Sequence, residues 1–103
     1  MSKAGFIADL LKQGKTVERY KEAGNSMLPI LKSNQPVTLE PITKSTVLNV
    51  GDIVFCRVKG NYYTHKISSI RGEQYQIANN RGHINGWVKR DKIFGKVIKI
   101  WDK

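Results

Sequence analysis

The chain has 103 residues, with 40% hydrophobic and 25% charged side chains, which suits one folded domain with a modest core and excludes a disordered chain. Eighteen Lys and Arg against eight Asp and Glu give a net charge of +10, so polyanions are natural partners, although the basic residues are spread along the chain and also suit a solvated surface. A single cysteine and two histidines exclude a disulfide framework and a thiolate zinc site; neither metal nor cofactor is expected.

No stretch approaches the roughly 20 apolar residues of a membrane span. The first residues lack the basic start and apolar core of a secretory signal, so the expectation is a cytoplasmic protein.

In chain order, "KAGFIADLLKQGK" sets Phe6, Ile7, Leu10 and Leu11 on one helical face and predicts a short amphipathic helix over 1–14, stopped at Gly14. "TVERY" reads as a strand, because Val17 and Tyr20 make a poor helical stripe. From residue 35 onward the texture is β. "QPVTLEPI" alternates between two prolines, as an edge strand or strand start does. A connection ending in Gly51-Asp52 leads to the apolar run "IVFCRV", in which Cys56 reads as a small core residue. Lys59-Gly60-Asn61 reads as a hairpin turn before "YYTHKISSI", and Arg71-Gly72 turns the chain into "EQYQIA". "NNRGHING" reads as a loop, with Asn85-Gly86 as a turn and Trp87 as a packing anchor behind it; "IFGKVIKIW" closes the chain as a strand. The expected fold is one mostly-β domain over 15–103, a curved sheet or small barrel, behind the N-terminal helix.

Two features carry chemistry. Ser26, in "GNSMLPIL", sits on a Gly-Asn bend, where a serine is by default a turn residue but can also be held out as a nucleophile. A serine becomes a useful nucleophile only with a base in hydrogen-bond reach. Side chains alternate along a strand, so Tyr63, His65 and Ile67 share one face and Tyr62, Thr64 and Lys66 the other. Only one of His65 and Lys66 can therefore face a given site, and histidine serves as a base near neutrality where lysine needs a large downward shift. His83 reads as an exposed loop residue, and Asp52 as the side chain that fixes the turn before its strand.

Four boxes in order support the reading of Ser26 as a nucleophile. Gly24-Asn25-Ser26-Met27-Leu28-Pro29 resembles the Gly-x-Ser-Met-x-Pro box of the type I signal peptidases and the LexA-like self-cleaving repressors. Gly51-Asp52-Ile53-Val54 resembles their Gly-Asp-x-Val box, Thr64-His65-Lys66-Ile67 their base-bearing strand, and Gly95-Lys96-Val97 their closing strand. The histidine in the base position is similar to the endoplasmic-reticulum-type signal peptidases. The resemblance implies the curved sheet of that superfamily, Ser26 as nucleophile and His65 as general base, with an oxyanion site on the Gly24–Asn25 bend. It also implies a substrate held as an added strand beside Met27, Leu28 and Pro29. Those enzymes carry an acid in the stretch matching Ile77–Gly82. Here there is none, and Asn79 is either the residue that orients His65 or a turn residue. The expected partner is a protein or peptide, including a second copy of the chain. A dimer is compatible with that. The rival expectation is a binding module of the same fold, from a phage or mobile element, that uses its basic surface on nucleic acid or a regulatory protein.

Overall fold

The structure, a computed structural model, describes residues 2–102. Helix α1 (Lys3–Lys12) is followed by seven strands: β1 (Val17–Tyr20), β2 (Val37–Pro41), β3 (Ile53–Val58), β4 (Asn61–Arg71), β5 (Gln74–Ala78), β6 (Ile84–Lys89) and β7 (Ile93–Ile100). All pairings are antiparallel, and the strands form one sheet in the order β1-β2-β7-β3-β4-β5-β6. The expected mostly-β architecture with an N-terminal helix is therefore present. The sheet is curled, with β1 and β6 as its two edges, and no pairing between them closes a barrel among the described residues.

Helix α1 starts where the Ser2 hydroxyl accepts a hydrogen bond from the Gly5 N–H, as an N-cap does. It ends in a Schellman arrangement: the Gly14 N–H donates to the Leu11 carbonyl and the Lys15 N–H to that of Leu10, with Gly14 at φ +84°. The buried stripe is Ile7, Ala8 and Leu11, flanked by Ala4 and Leu10. Phe6, expected on the inner face, points to solvent instead, because the 4-7-8-11 spacing centres the stripe one residue further round the helix. Leu11 seats so closely over β7 that a Cβ on Gly95 would lie 2.9 Å from its Cδ1.

Both faces of β3 are buried, so "IVFCRV" shows little polar alternation. Ile53 and Phe55 belong to a cluster with α1, Tyr20, Met27, Leu31, Val37, Leu39 and Phe94. Val54, Cys56 and Val58 belong to a second cluster with Leu48, Ile67, Ile77, Val88 and Ile93. Phe55 links the aromatic part of the first, edge-on to Tyr20 at 5.3 Å and stacked on Tyr62 at 5.7 Å. Asp52 accepts from the Asn49 N–H at 2.8 Å and pairs with Lys96 at 3.3 Å, so it fixes the turn into β3.

The segment "NNRGHING" divides differently from its reading as a loop. Residues 79–83 form the loop, whereas Asn85, Gly86 and Trp87 lie within β6. Gly86 pairs with Ile77 and Ile84 with Ala78, so Asn85 is an extra residue, a β-bulge. Turn-forming residues here mark a bulge because β5 supplies a partner strand. Trp87 is no packing anchor: it is 37% exposed on the sheet face. Among the described residues, no helix is long and apolar enough to cross a membrane.

Candidate active site

Residues 25–31 form a compact turn between β1 and β2. Its apolar members Met27 and Leu31 are buried in the first core cluster, and the Leu31 N–H donates to the Met27 carbonyl at 2.9 Å. Buried Met27 and Leu31 thus anchor the bend on its C-terminal side, while Ser26, just before them, stays half-exposed. Asn80 grips the same bend from the 79–83 loop: its N–H donates to the Ser26 carbonyl at 2.9 Å and its Nδ2 to the Met27 carbonyl at 3.2 Å.

His65 arrives from β4. Its cross-strand partner on β3 is Val54, while Lys66 pairs with Ile53, so the two side chains leave opposite faces as the alternation requires. The His65 Nε2 lies 3.0 Å from Ser26 Oγ. On the other side of the ring, Nδ1 lies 2.7 Å from Asn85 Oδ1. Asn85 reaches it because the bulge re-aims this one side chain of an otherwise regular strand. An amide oxygen only accepts, so Nδ1 carries the proton and Nε2 presents its lone pair to the Ser26 hydroxyl. Tyr63 stacks on the imidazole at 4.8 Å and 27°, holding the ring plane.

Burial lowers the His65 pKa from its ordinary 6.5; the bond to Asn85 and the charge of Glu22 push the other way, and His83 adds to the lowering. The net effect is an imidazole that is neutral, hence basic, at pH 7. Glu22 is the acid nearest the site. Its carboxylate does not meet His65 directly: it accepts from the Thr64 N–H at 3.2 Å, from the Thr64 hydroxyl at 3.3 Å and from the Tyr20 hydroxyl at 3.1 Å. Tyr20 is pushed up by burial first and by Glu22 second. Cys56, fully buried and pushed up to about 12 by burial and by Glu22, takes no part.

Asn79 is not the residue behind His65. Its side-chain oxygen accepts from the Arg81 and His83 N–H groups at 2.9 and 3.0 Å, which closes the loop. Asn85, read in the sequence as a turn residue, occupies the orienting position. The Gly24 N–H is likewise committed, donating to Ser33 Oγ at 3.0 Å, so Gly24 serves the bend through its φ of +124° and not as a donor. The Asn25 and Ser26 N–H groups have no hydrogen-bond partner among the described residues. Met27 is buried and lines the smaller of the two cavities at Ser26, whereas Leu28 and Pro29 are exposed and line neither.

No model of a known protein family matches the chain, and no curated protein does.

Two cavities meet at the hydroxyl. One is a recess of about 30 Å³ between Ser26 and the core, walled by Tyr20, Glu22, Met27, Leu31 and Thr64 among others. The second is an open groove of about 500 Å³ bounded by Glu22, Ala23, Tyr62, Tyr63 and the 79–85 segment with His83 exposed on its rim. Ser26 lines both, so a group in the groove can approach Oγ while a small side chain enters the recess.

Proposed function

We propose that this protein is a serine peptidase acting through Ser26 and His65, of the type I signal peptidase and LexA-like superfamily that its four sequence boxes resemble. The observation that carries the reading is the relay Ser26 Oγ to His65 Nε2 at 3.0 Å and His65 Nδ1 to Asn85 Oδ1 at 2.7 Å. A nucleophile, a base and an orienting group in hydrogen-bond reach of one another are the minimum for acyl transfer by serine.

In the proposed reaction, a peptide lies extended in the open groove with its scissile carbonyl over Ser26. The Ser26 Oγ bonds to the carbonyl carbon as its proton passes to His65 Nε2. The carbonyl oxygen becomes an oxyanion, and the N–H groups of Ser26 and Asn25 are the donors available to it. Collapse breaks the C–N bond, and the departing amine takes the proton from His65. Water then loses a proton to the regenerated imidazole, attacks the acyl-enzyme and frees Ser26. The recess of about 30 Å³ admits only a small side chain next to the cleaved bond. General-base catalysis by a positioned imidazole contributes roughly 10²–10⁴-fold. The proposed substrate is a protein segment, in another protein or in a second copy of this chain, and the proposed setting is the cytoplasm.

The test is labelling with a fluorophosphonate probe followed by mass mapping. The expected outcome is one adduct, on Ser26, absent in Ser26→Ala and strongly slowed in His65→Ala. Labelling that ignores His65, or the absence of any Ser26 adduct in the folded wild-type protein, overturns the reading.

A further inference from the structure

Away from Ser26, the ends of β3 and β6 and the short helical turn Arg90–Lys92 enclose a second groove of about 520 Å³. Its walls hold Arg57, Lys59, Lys89 and Lys92, one acid, Asp91, and the partly exposed ring of Trp87. The register sets Trp87 opposite Gln76 on β5 and Lys89 opposite Gln74, which in turn pairs with Arg71 of β4. Trp87, Lys89 and Arg71 therefore share one face, and the Arg71 guanidinium lies 5.4 Å from the Trp87 ring centroid. Four cations thus line the groove with Trp87, the Arg57 guanidinium also lying 5.1 Å from the Tyr62 ring, and a fifth, Arg71, lies over the Trp87 ring. Among the described residues the Lys96–Asp52 ion pair stands alone, and none of these five is in it.

The backbone adds an independent observation. Lys59 and Gly60 both have positive φ, +51° and +85°, the turn in which asparagine and glycine are the usual residues. A lysine held there keeps a cation at the rim of the groove at a conformational cost, and such costs gather at functional sites. The turn is also braced against β6, since a Cβ on Gly86 would meet Val58 at 3.0 Å and Lys59 at 3.6 Å.

We infer that this groove binds single-stranded nucleic acid, with a base stacked on Trp87 and the adjoining phosphates on Arg57, Lys59, Arg71, Lys89 and Lys92. Trp87, which stays 37% exposed beside the Arg71 guanidinium, offers its ring for stacking to any base, and neighbouring cations free of carboxylate partners track a phosphate backbone. The volume lies within the roughly 300–1,000 Å³ of small-ligand sites, enough for an unpaired nucleotide, whereas a duplex hides its base faces from such a ring. A lipid surface is disfavoured, because the groove's apolar residues are the half-exposed Trp87 and the buried Val88, too little to insert. The inference does not depend on the peptidase reading.

The experiment measures anisotropy of a fluorescently labelled mixed-sequence DNA oligonucleotide titrated with the full chain at two salt concentrations. Stacking predicts that Trp87→Ala weakens binding about tenfold or more, while Trp87→Phe stays within a few-fold of wild type. The triple variant Lys59→Gln, Lys89→Gln, Lys92→Gln flattens the logarithmic salt dependence by about two, at roughly 0.7 per lost phosphate contact. Ser26→Ala binds as wild type. Circular dichroism confirms that each variant folds. Wild-type affinity in Trp87→Ala, or an equal loss on replacing Lys3 and Lys12 of α1 by Gln, overturns the site. So does preference for phosphatidylserine vesicles over the oligonucleotide.

Discussion

The Asn85 side chain stands behind His65, 2.7 Å from Nδ1, although twenty residues separate the two and a regular β6 would aim position 85 differently. The bulge converts an edge-strand residue into the third member of a relay. An amide there fixes the tautomer but brings no negative charge to stabilise the imidazolium of the proposed attack. Asn85→Asp supplies that charge and raises the His65 pKa, so the acid limb of the rate profile moves to higher pH. Asn85→Ala removes an influence that raises the pKa, so the limb moves lower, and the plateau falls about a hundredfold as the ring loses its orienter. Fluorophosphonate labelling rates across pH measure both. Limbs that do not move in opposite directions contradict the proposed role of Asn85.

Asn80 supports the bend that carries Ser26, the proposed nucleophile, from the other side. Asn80→Ala keeps the backbone bond to the Ser26 carbonyl and loses the amide bond to that of Met27. The stability cost expected of one such bond is about 0.5–1.5 kcal/mol. Small displacements of a reacting group cost far more in rate, so labelling of Ser26 is expected to slow about tenfold or more. Thermal unfolding and labelling of the same variant separate the two effects. A rate loss no larger than the stability loss explains would show that the bend holds itself.

The alternation that puts His65 and Lys66 on opposite faces was legible in the sequence, whereas the pairing of Ser26 with His65 was expected only from the resemblance of the four boxes. The strands other than β6 were legible from their alternation and turn residues, down to the Lys59-Gly60 turn. The orienting residue was not. Asn79 and Asn85 both lie in "NNRGHING", and polar turn composition looks alike in a loop and in a bulged edge strand. Only the pairing of Gly86 with Ile77 and of Ile84 with Ala78 shows which asparagine is displaced toward the imidazole. The contacts of Asn80 were hidden likewise, since nothing in a sequence reveals that two loops more than fifty residues apart will meet.

Burial of His65 makes a prediction about stability. Its pKa is lower in the folded protein than the ordinary 6.5 of the unfolded chain. Above about pH 6.5 both states hold neutral imidazole and the stability is complete; as pH falls, the unfolded chain takes up the proton first and folding loses ground. The melting temperature is therefore expected to fall from about pH 7.5 to about pH 5, and to fall less in His65→Gln. An equal fall in both would mean that His65 is not the group responsible.

Gly86 links the two sites, since it follows Asn85 and precedes Trp87. Its φ is +149°, and a Cβ there would sit 3.0 Å from the Val58 Cγ1, a buried branched side chain with little freedom to move. Gly86→Ala therefore strains the backbone and pushes β6 away from the β3 end, at an expected cost of about 1–3 kcal/mol. Gly72→Ala is the comparison, because Gly72 has φ +58° but no neighbour within 4 Å of its Cβ position. Chemical denaturation of both variants gives the costs, and Ser26 labelling shows whether Asn85 has moved. The clash account expects Gly86→Ala to lose more stability than Gly72→Ala and also to slow labelling, with Gly72→Ala labelling at the wild-type rate. Equal losses in the two variants would assign the cost to backbone conformation alone and leave Asn85 independent of how β6 packs.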